Sequence, residues 1–217
     1  MQRKAILFDL DGTLLDTLED LGDSMNAVLA SRGLPTHPLA SFRYFVGDGV
    51  GELVRRALPA NQAADEKLVQ ACTEGMRQEY DKRWHDKTIL YDGIASLLDA
   101  LTGAGVKLTV LSNKPDPFVR VILRHYFAAW KFAAALGARP SVPRKPDPAA
   151  AIEISRLLEV SPADFLYLGD TNTDMQTATA AGMYAVGALW GFRTRKELEE
   201  SGAAAVAAHP MEVMSLL

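Results

Sequence analysis

Residues 4–13, KAILFDLDGT, decide how this chain is read. Residues 4–10 are short, apolar and followed at once by Asp-Gly-Thr, the pattern of a buried strand. Three later runs look alike: 106–112 (VKLTVLS) after Gly103 and Gly105, 165–169 (FLYLG) after Ser161-Pro162, and 183–189 (MYAVGAL) after Gly182.

Helical patterns lie between these runs. Apolar residues at 94, 97, 98 and 101 form an i, i+3, i+4, i+7 stripe. Residues 148–158 open with Asp147 as N-cap and Pro148 at the first helical position. Residues 173–181 end at Gly182, a suitable residue just past a helix. Alternation of strand and helix predicts an α/β fold, a doubly wound, mostly parallel, Rossmann-like sheet covered on both faces. Sites in such sheets lie at the carboxyl ends of the strands.

Residues 15–85 break the alternation. No convincing strand is found there, and three helices are predicted: 18–30 closed by Gly33, 51–58 closed by Pro59, and 65–84. This segment reads as an inserted helical cap. The expected organisation is therefore 1–14 as the start of the core, 15–85 as the insertion and 86–217 as the rest of the core.

Composition bounds the rest. The chain has 217 residues, 23 Lys+Arg and 27 Asp+Glu, for a net charge of −4. Its 48% apolar and 23% charged residues are those of a globular chain rather than a disordered one. The slightly acidic sign argues against nucleic-acid binding through general positive charge. The single cysteine, Cys72, excludes an internal disulfide and a four-cysteine zinc site, and reads as a small buried hydrophobe in a reducing, cytoplasmic setting. No apolar run approaches the roughly 20 residues that span a bilayer. The N-terminal Met1-Gln2-Arg3-Lys4 leads into too short an apolar run to be expected as a signal peptide.

The chemistry gathers at the predicted strand ends. Asp9 and Asp11 flank Leu10 at the end of the first strand. Two carboxylates this close repel, so they call for a cation or a shared proton, and Mg²⁺ is the natural partner of oxygen ligands. A second acidic group, Gly169-Asp170-Thr171-Asn172-Thr173-Asp174, follows another apolar run. Asp174 stands where a helix begins and suits a cap as well as a site. Ser112-Asn113 ends a third strand with small hydrogen-bonding side chains that also suit a turn. Lys145 precedes a helix N-terminus, where a cation is disfavoured unless an anion offsets it.

Together these blocks resemble the haloacid dehalogenase superfamily of aspartate-nucleophile phosphatases. The resemblance rests on Asp9-Leu10-Asp11-Gly12-Thr13-Leu14-Leu15-Asp16-Thr17, Leu111-Ser112-Asn113, Lys145-Pro146 and Gly169-Asp170-Thr171-Asn172-Thr173-Asp174, in that order. Residues 44–50, Asn113-Lys114-Pro115, 174–178 with 181–183, and Trp190-Gly191-Phe192 are similar to the phosphoglycolate phosphatase branch. The resemblance implies hydrolysis of a phosphate monoester, 2-phosphoglycolate first, through an aspartyl-phosphate. Asp9 is then the nucleophile and Asp11 the general acid and base. Mg²⁺ is implied on Asp9, the backbone carbonyl of Asp11 and Asp170, with Asp174 orienting that set. Ser112, Asn113 and Lys145 are implied to hold the phosphoryl oxygens. Lys145 is also the main compensating charge and a partner for Asp9.

Asp11 favours phosphoryl transfer over carbon–halogen cleavage, because a departing halide needs no proton. Neither Lys67 nor Lys82 of the insertion is singled out for imine chemistry. Arg43 with the turn Gly47-Asp48-Gly49 is the candidate selecting element of the cap, Arg43 being suited to a substrate carboxylate. A sugar-phosphate mutase of the β-phosphoglucomutase kind, a phosphatase for another small ester and a non-catalytic binding protein are the competing readings. The expected partner is a small phosphate ester, with no nucleic acid and no membrane, on a monomer or homodimer. Met25, Val28, Leu29, Phe42, Phe45 and Val46 are expected in the core. No role falls to His37, His85, His125 or His209. Arg193, Arg195 and Lys196 with Glu197, Glu199 and Glu200 read as a solvated helix face.

Overall fold

A computed structural model describes residues 3–217, so Met1 and Gln2 of the N-terminal stretch lie outside the described residues. The chain divides into two compact units, Met1–Leu15 with Leu90–Leu217, and Asp16–Ile89. The elements begin with β1 (Ala5–Phe8) and β2 (Leu15–Asp16), then four helices, α1 (Leu18–Ser31), α2 (Leu39–Phe45), α3 (Val50–Ala57) and α4 (Glu66–Arg83). After β3 (Ile89–Leu90) come α5 (Ile94–Gly103), β4 (Lys107–Pro115), α6 (Asp116–Tyr126), β5 (Phe132–Ala138) and α7 (Ala149–Leu158). There follow β6 (Phe165–Gly169), α8 (Asn172–Ala181), β7 (Tyr184–Ala188), α9 (Arg195–Glu200) and β8 (Ala205–Ala207), and after them a 3₁₀ helix (Pro210–Leu216).

The larger unit is built on a parallel sheet in the order β5-β4-β1-β6-β7-β8. All four residues of β1 are buried, as a strand covered on both faces requires. Ala5 and Leu7 join one side of the core with Ile154 of α7, Met175 of α8, Phe165 and Tyr167. Ile6 and Phe8 point to the opposite face by the alternation of the pleat. Each such large side chain, fully buried, stabilises the fold by about 1.5–3 kcal/mol.

Phe8 lies level with Val110 of β4 and Leu168 of β6. From β1 the sheet grows through β4 and β5 in one direction, and from β6 through β7 and β8 in the other. The neighbours β1 and β6 therefore send their continuations to opposite sides. This is where an open α/β sheet leaves a crevice beyond its carboxyl edge.

The four strands read from apolar runs are present, and two more complete the sheet. Strand β5 (FAAALGA) carries little β-branched signal, and β8 lies in a stretch that reads as ordinary alanine-rich chain. Strand β4 runs on through Ser112 and Asn113 to Pro115, with a register irregularity after Leu111, so these residues finish a strand rather than form a turn. Helices α2 and α6 add to those expected from the sequence. Helix α7 starts at Ala149, one residue later than expected, with Asp147 Oδ1 accepting from the Ala149 N–H at 2.8 Å.

The unit Asp16–Ile89 is helical. Met25, Val28 and Leu29 of α1 are buried, as are Phe42, Val46, Leu53, Val54, Val69, Cys72 and Met76, while Phe45 is half-buried. α4 packs on α1 at Gly75, where even a Cβ would make only an ordinary contact, 3.4 Å from both Val28 methyls. Buried Asp20 accepts from the Lys87 N–H, the Thr88 N–H at 2.9 Å and Thr88 Oγ1 at 2.7 Å. Those contacts fasten the end of this unit's chain to the first turn of α1.

Candidate active site

The loop after β1 is folded back on itself. Leu10 O accepts from the N–H groups of Leu14 and Leu15, both at 3.0 Å, and Gly12 N–H donates to Leu15 O at 2.8 Å. Gly12 has φ +85°, and a Cβ there would come within 2.2 Å of Asp170 Oδ2. A glycine is therefore demanded twice, by conformation and by the carboxylate packed on it.

Asp170 stands just past β6 and is fully buried. Thr13 Oγ1 donates to its Oδ1 at 2.7 Å, and the Phe192 N–H donates to its Oδ2 at 2.8 Å. Trp190 Nε1 donates to Thr13 O at 2.9 Å, which ties the loops after β1 and β7 together. Between these contacts lies Gly191, where a Cβ would fall 2.2 Å from Asp170 Cβ and 2.4 Å from Gly12 O.

Lys145 is the hub of the cluster. Its ammonium, 2% exposed, donates to Asp9 Oδ1 at 2.8 Å, Asp174 Oδ1 at 2.7 Å and Leu111 O at 3.2 Å. Three donors meet three acceptors. The Lys145 backbone is held as firmly: its N–H donates to Asn113 Oδ1 at 3.0 Å, and Asn113 Nδ2 donates to its carbonyl at 3.2 Å. Asp174 completes the frame. Its Oδ2 accepts from Thr171 N–H at 3.0 Å and Thr171 Oγ1 at 2.6 Å, while Tyr167 OH donates to Oδ1 at 3.2 Å. Thr171 is the N-cap of α8, and Asp174 is the third-position partner of a capping box. One carboxylate thus serves helix and cluster together.

Asp9, Asp170 and Asp174 each offer a carboxylate oxygen within 4.8 Å of the others, all buried. Burial first, and Asp174's charge next, push the Asp9 carboxyl well above its usual range, with Lys145 pulling against them. Burial and Asp174 push Asp170 up to about 7, opposed by the Phe192 N–H and Thr13 bonds. Burial draws the Lys145 ammonium down, but Asp174 and Asp9 outweigh it and hold it raised. Lys145 bonds two of these three buried acids, and the third, Asp170, feels the charge of Arg193. An all-oxygen donor set of this kind fits a hard divalent cation.

Asp11 points elsewhere. Its carboxylate stands 3.2 Å from Lys114 Nζ rather than in the three-acid cluster. Ser112 Oγ accepts from the Lys114 N–H at 3.2 Å, so its own hydroxyl proton stays available to donate. The structure thus brings together Asp9, Lys145, Asp170 and Asp174, sets Asn113 behind Lys145, and leaves Asp11 and Ser112 beside Lys114. Arg43, Gly47, Asp48 and Gly49 belong to the other unit, where Asp48 is paired with Arg56.

Two residues escape a reading of the sequence alone. Lys114 stands out there only as part of Asn113-Lys114-Pro115, and nothing in its local pattern pairs it with Asp11. Arg193 is corrected: it is buried, not part of a solvated face, and its charge pulls Asp170 down. Its position before the Thr194 N-cap of α9, rather than on the helix, is the physical reason.

A family model described as haloacid dehalogenase-like hydrolase matches residues 6–188. A phosphoglycolate phosphatase of Pseudomonas syringae pv. tomato is 34% identical over 94% of this chain and 75% of its own length. Another from Psychrobacter arcticus is 32% identical over 92% and 89%. A crystal structure from Lactobacillus delbrueckii subsp. bulgaricus, provisionally described as a phosphoglycolate phosphatase, superposes with TM-score 0.92 at 30% identity. It covers 100% of this chain and 98% of that one.

Proposed function

The chain belongs to the haloacid dehalogenase-like hydrolases, and we propose that it is a phosphatase for small phosphate monoesters, 2-phosphoglycolate first among them. The observation that carries this reading is the buried Lys145 ammonium joined to Asp9 and Asp174 beside Asp170, at the carboxyl ends of β1 and β6. The names of the relatives at 34% and 32% identity support the choice of substrate.

In this reading Asp9 attacks phosphorus in line with the leaving oxygen and becomes an aspartyl-phosphate. Asp11 gives a proton to the departing alkoxide and then takes one from the water that cleaves the acyl-phosphate. Lys145 holds Asp9 in place and faces the phosphoryl charge. The Ser112 hydroxyl donates to a phosphoryl oxygen, and Asn113 contributes by fixing the Lys145 backbone. Asp9, Asp170 and the Asp11 backbone carbonyl, with Asp174 alongside, would hold Mg²⁺, which would supply positive charge to offset the negative charge of the nucleophile and the phosphoryl oxygens. The helical unit Asp16–Ile89 is assigned as a cap, with Arg43 and the turn Gly47-Asp48-Gly49 as its selecting residues. The setting is cytoplasmic in this reading; among the described residues no helix is long and apolar enough to cross a membrane.

Across small phosphate esters, kcat/KM is expected to favour 2-phosphoglycolate over sugar phosphates and nucleotides by about tenfold or more, a difference of roughly 1.4 kcal/mol. A preference for sugar phosphates by that margin overturns the substrate while leaving the chemistry.

Metal dependence has a pH signature. The Asp170 carboxyl rises from 3.8 to about 7 in the fold. Without metal, the folded chain therefore holds this proton more tightly than the unfolded chain does. Its stabilising effect is present below the unfolded value and fades as pH climbs towards 7. Mg²⁺ needs the ionised acid. The rise in Tm on adding Mg²⁺ is expected to be larger at pH 8 than at pH 5, and EDTA is expected to remove activity. Equal shifts at both pH values, or full activity in metal-free buffer, overturn the metal assignment.

A further inference from the structure

Lys114 is a cation for which the phosphoryl chemistry gives no use. The charge of the transferring group is met by Lys145, whose ammonium is fully engaged with Asp9, Asp174 and Leu111 O. Lys114 lies beyond them at the end of β4, its ammonium 3.2 Å from Asp11 Oδ1, with the two side chains 10% and 12% exposed. The pair is nearly but not wholly enclosed. The ammonium also lies over the Phe118 ring, 5.9 Å from its centroid.

The position has a chemical meaning that rests on the phosphatase reading of Asp9 and Asp11. Asp11 is there the group that meets the ester oxygen of the leaving group. A cation one contact away from Asp11 stands on the leaving-group side, not the phosphoryl side. An ammonium has three donors and holds two carboxylates at once. In 2-phosphoglycolate one methylene separates the carboxylate from the ester oxygen. We propose that Lys114 selects substrates whose leaving group carries a carboxylate, binding that carboxylate beside Asp11 while the phosphoryl group lies at Asp9. The substrate class is then small phosphorylated hydroxy acids, and the discrimination sits on β4 of the larger unit rather than on Arg43.

The test compares 2-phosphoglycolate with 2-hydroxyethyl phosphate, which replaces the carboxylate by a neutral hydroxymethyl group. The readout is the ratio of kcat/KM for the two esters in the full-length protein. Lys114→Gln is expected to lower that ratio about 10–100-fold, the size of a lost charge-assisted contact, mainly through KM for 2-phosphoglycolate. Lys114→Arg is expected to keep most of it. An unchanged ratio, with both esters falling together, means that Lys114 only steadies Asp11, and the proposal fails. A ratio that collapses in Arg43→Gln but not in Lys114→Gln moves the discrimination to the other unit and also overturns it. A wild-type ratio near one rejects the 2-phosphoglycolate reading itself, and the proposal with it. That failure is visible before any variant is made.

Discussion

Asp9→Asn is expected to slow hydrolysis of p-nitrophenyl phosphate by about 10⁴-fold or more, in a protein that stays folded. The carboxamide has no carboxylate to attack phosphorus, so the covalent route is closed. The choice of ester simplifies the first step: nitrophenolate leaves without a proton, so formation of the aspartyl-phosphate does not call on Asp11 as an acid. Folding is expected to survive because the amide oxygen of the substituted side chain still accepts from Lys145, as Asp9 Oδ1 does at 2.8 Å. The change also removes the charge of one of three buried acids that lie close to one another. Its Tm should therefore not fall below that of the wild type without metal. Near-normal turnover would show the nucleophile to be another residue. Beryllium trifluoride, which mimics the acyl-phosphate, should add to Asp9 in the wild type and be absent from the variant.

The second large effect lies in stability. Lys145→Met leaves Asp9 and Asp174 buried without their counter-charge. Breaking such a pair by removing one partner costs about 3–5 kcal/mol. A urea midpoint read at unchanged slope measures it. Combining Asp9→Asn with Lys145→Met should recover part of the loss, since it removes one of the two stranded charges. Lys145→Arg should not rescue activity, because the three acceptors converge on one nitrogen and a planar fork does not fit them. A midpoint unmoved in Lys145→Met would mean that the cluster is not held by this ammonium.

The parts of the fold that are legible in the sequence are those where burial is complete. β1, β4, β6 and β7 are largely buried, so their residues form mostly apolar runs, and those of β1 and β6 end visibly at an acid. Asp9 and Asp170 stand where such runs stop. β5 and β8 are the outer strands of the sheet. Their side chains are small and partly exposed, and a run such as FAAALGA suits a helix as well as a strand. What marks β5 is a contact: the Gly137 N–H donates to Asp116 Oδ1 at 2.9 Å, and only a glycine lets that backbone approach Asp116.

The same distinction divides the candidate site. Asp174 and Thr171 are three residues apart, so their mutual bonds follow local rules. The pairs Lys145 with Asp9 and Lys114 with Asp11 depend on which strands are neighbours. No local pattern encodes that β1 lies between β4 and β6. Arg193 misleads for a related reason. Its charge resembles that of its neighbours on α9, and its burial comes from the loop that turns it towards Asp170.

The central place of β1 also orders events during synthesis. This strand is the first of the sheet to be made, yet its neighbours are β4 and β6. Lys145 bonds to Asp9 across 136 residues, and Trp190 to Thr13 across 177. At roughly 5–20 residues per second, on the order of ten seconds pass between the emergence of Asp9 and that of its partners. Helices α1 to α4 have their partners within Asp16–Ile89 and need no such wait. A wholly apolar strand is thus the one left longest without a sheet, and newly made chains are most exposed to aggregation until β6 has been translated.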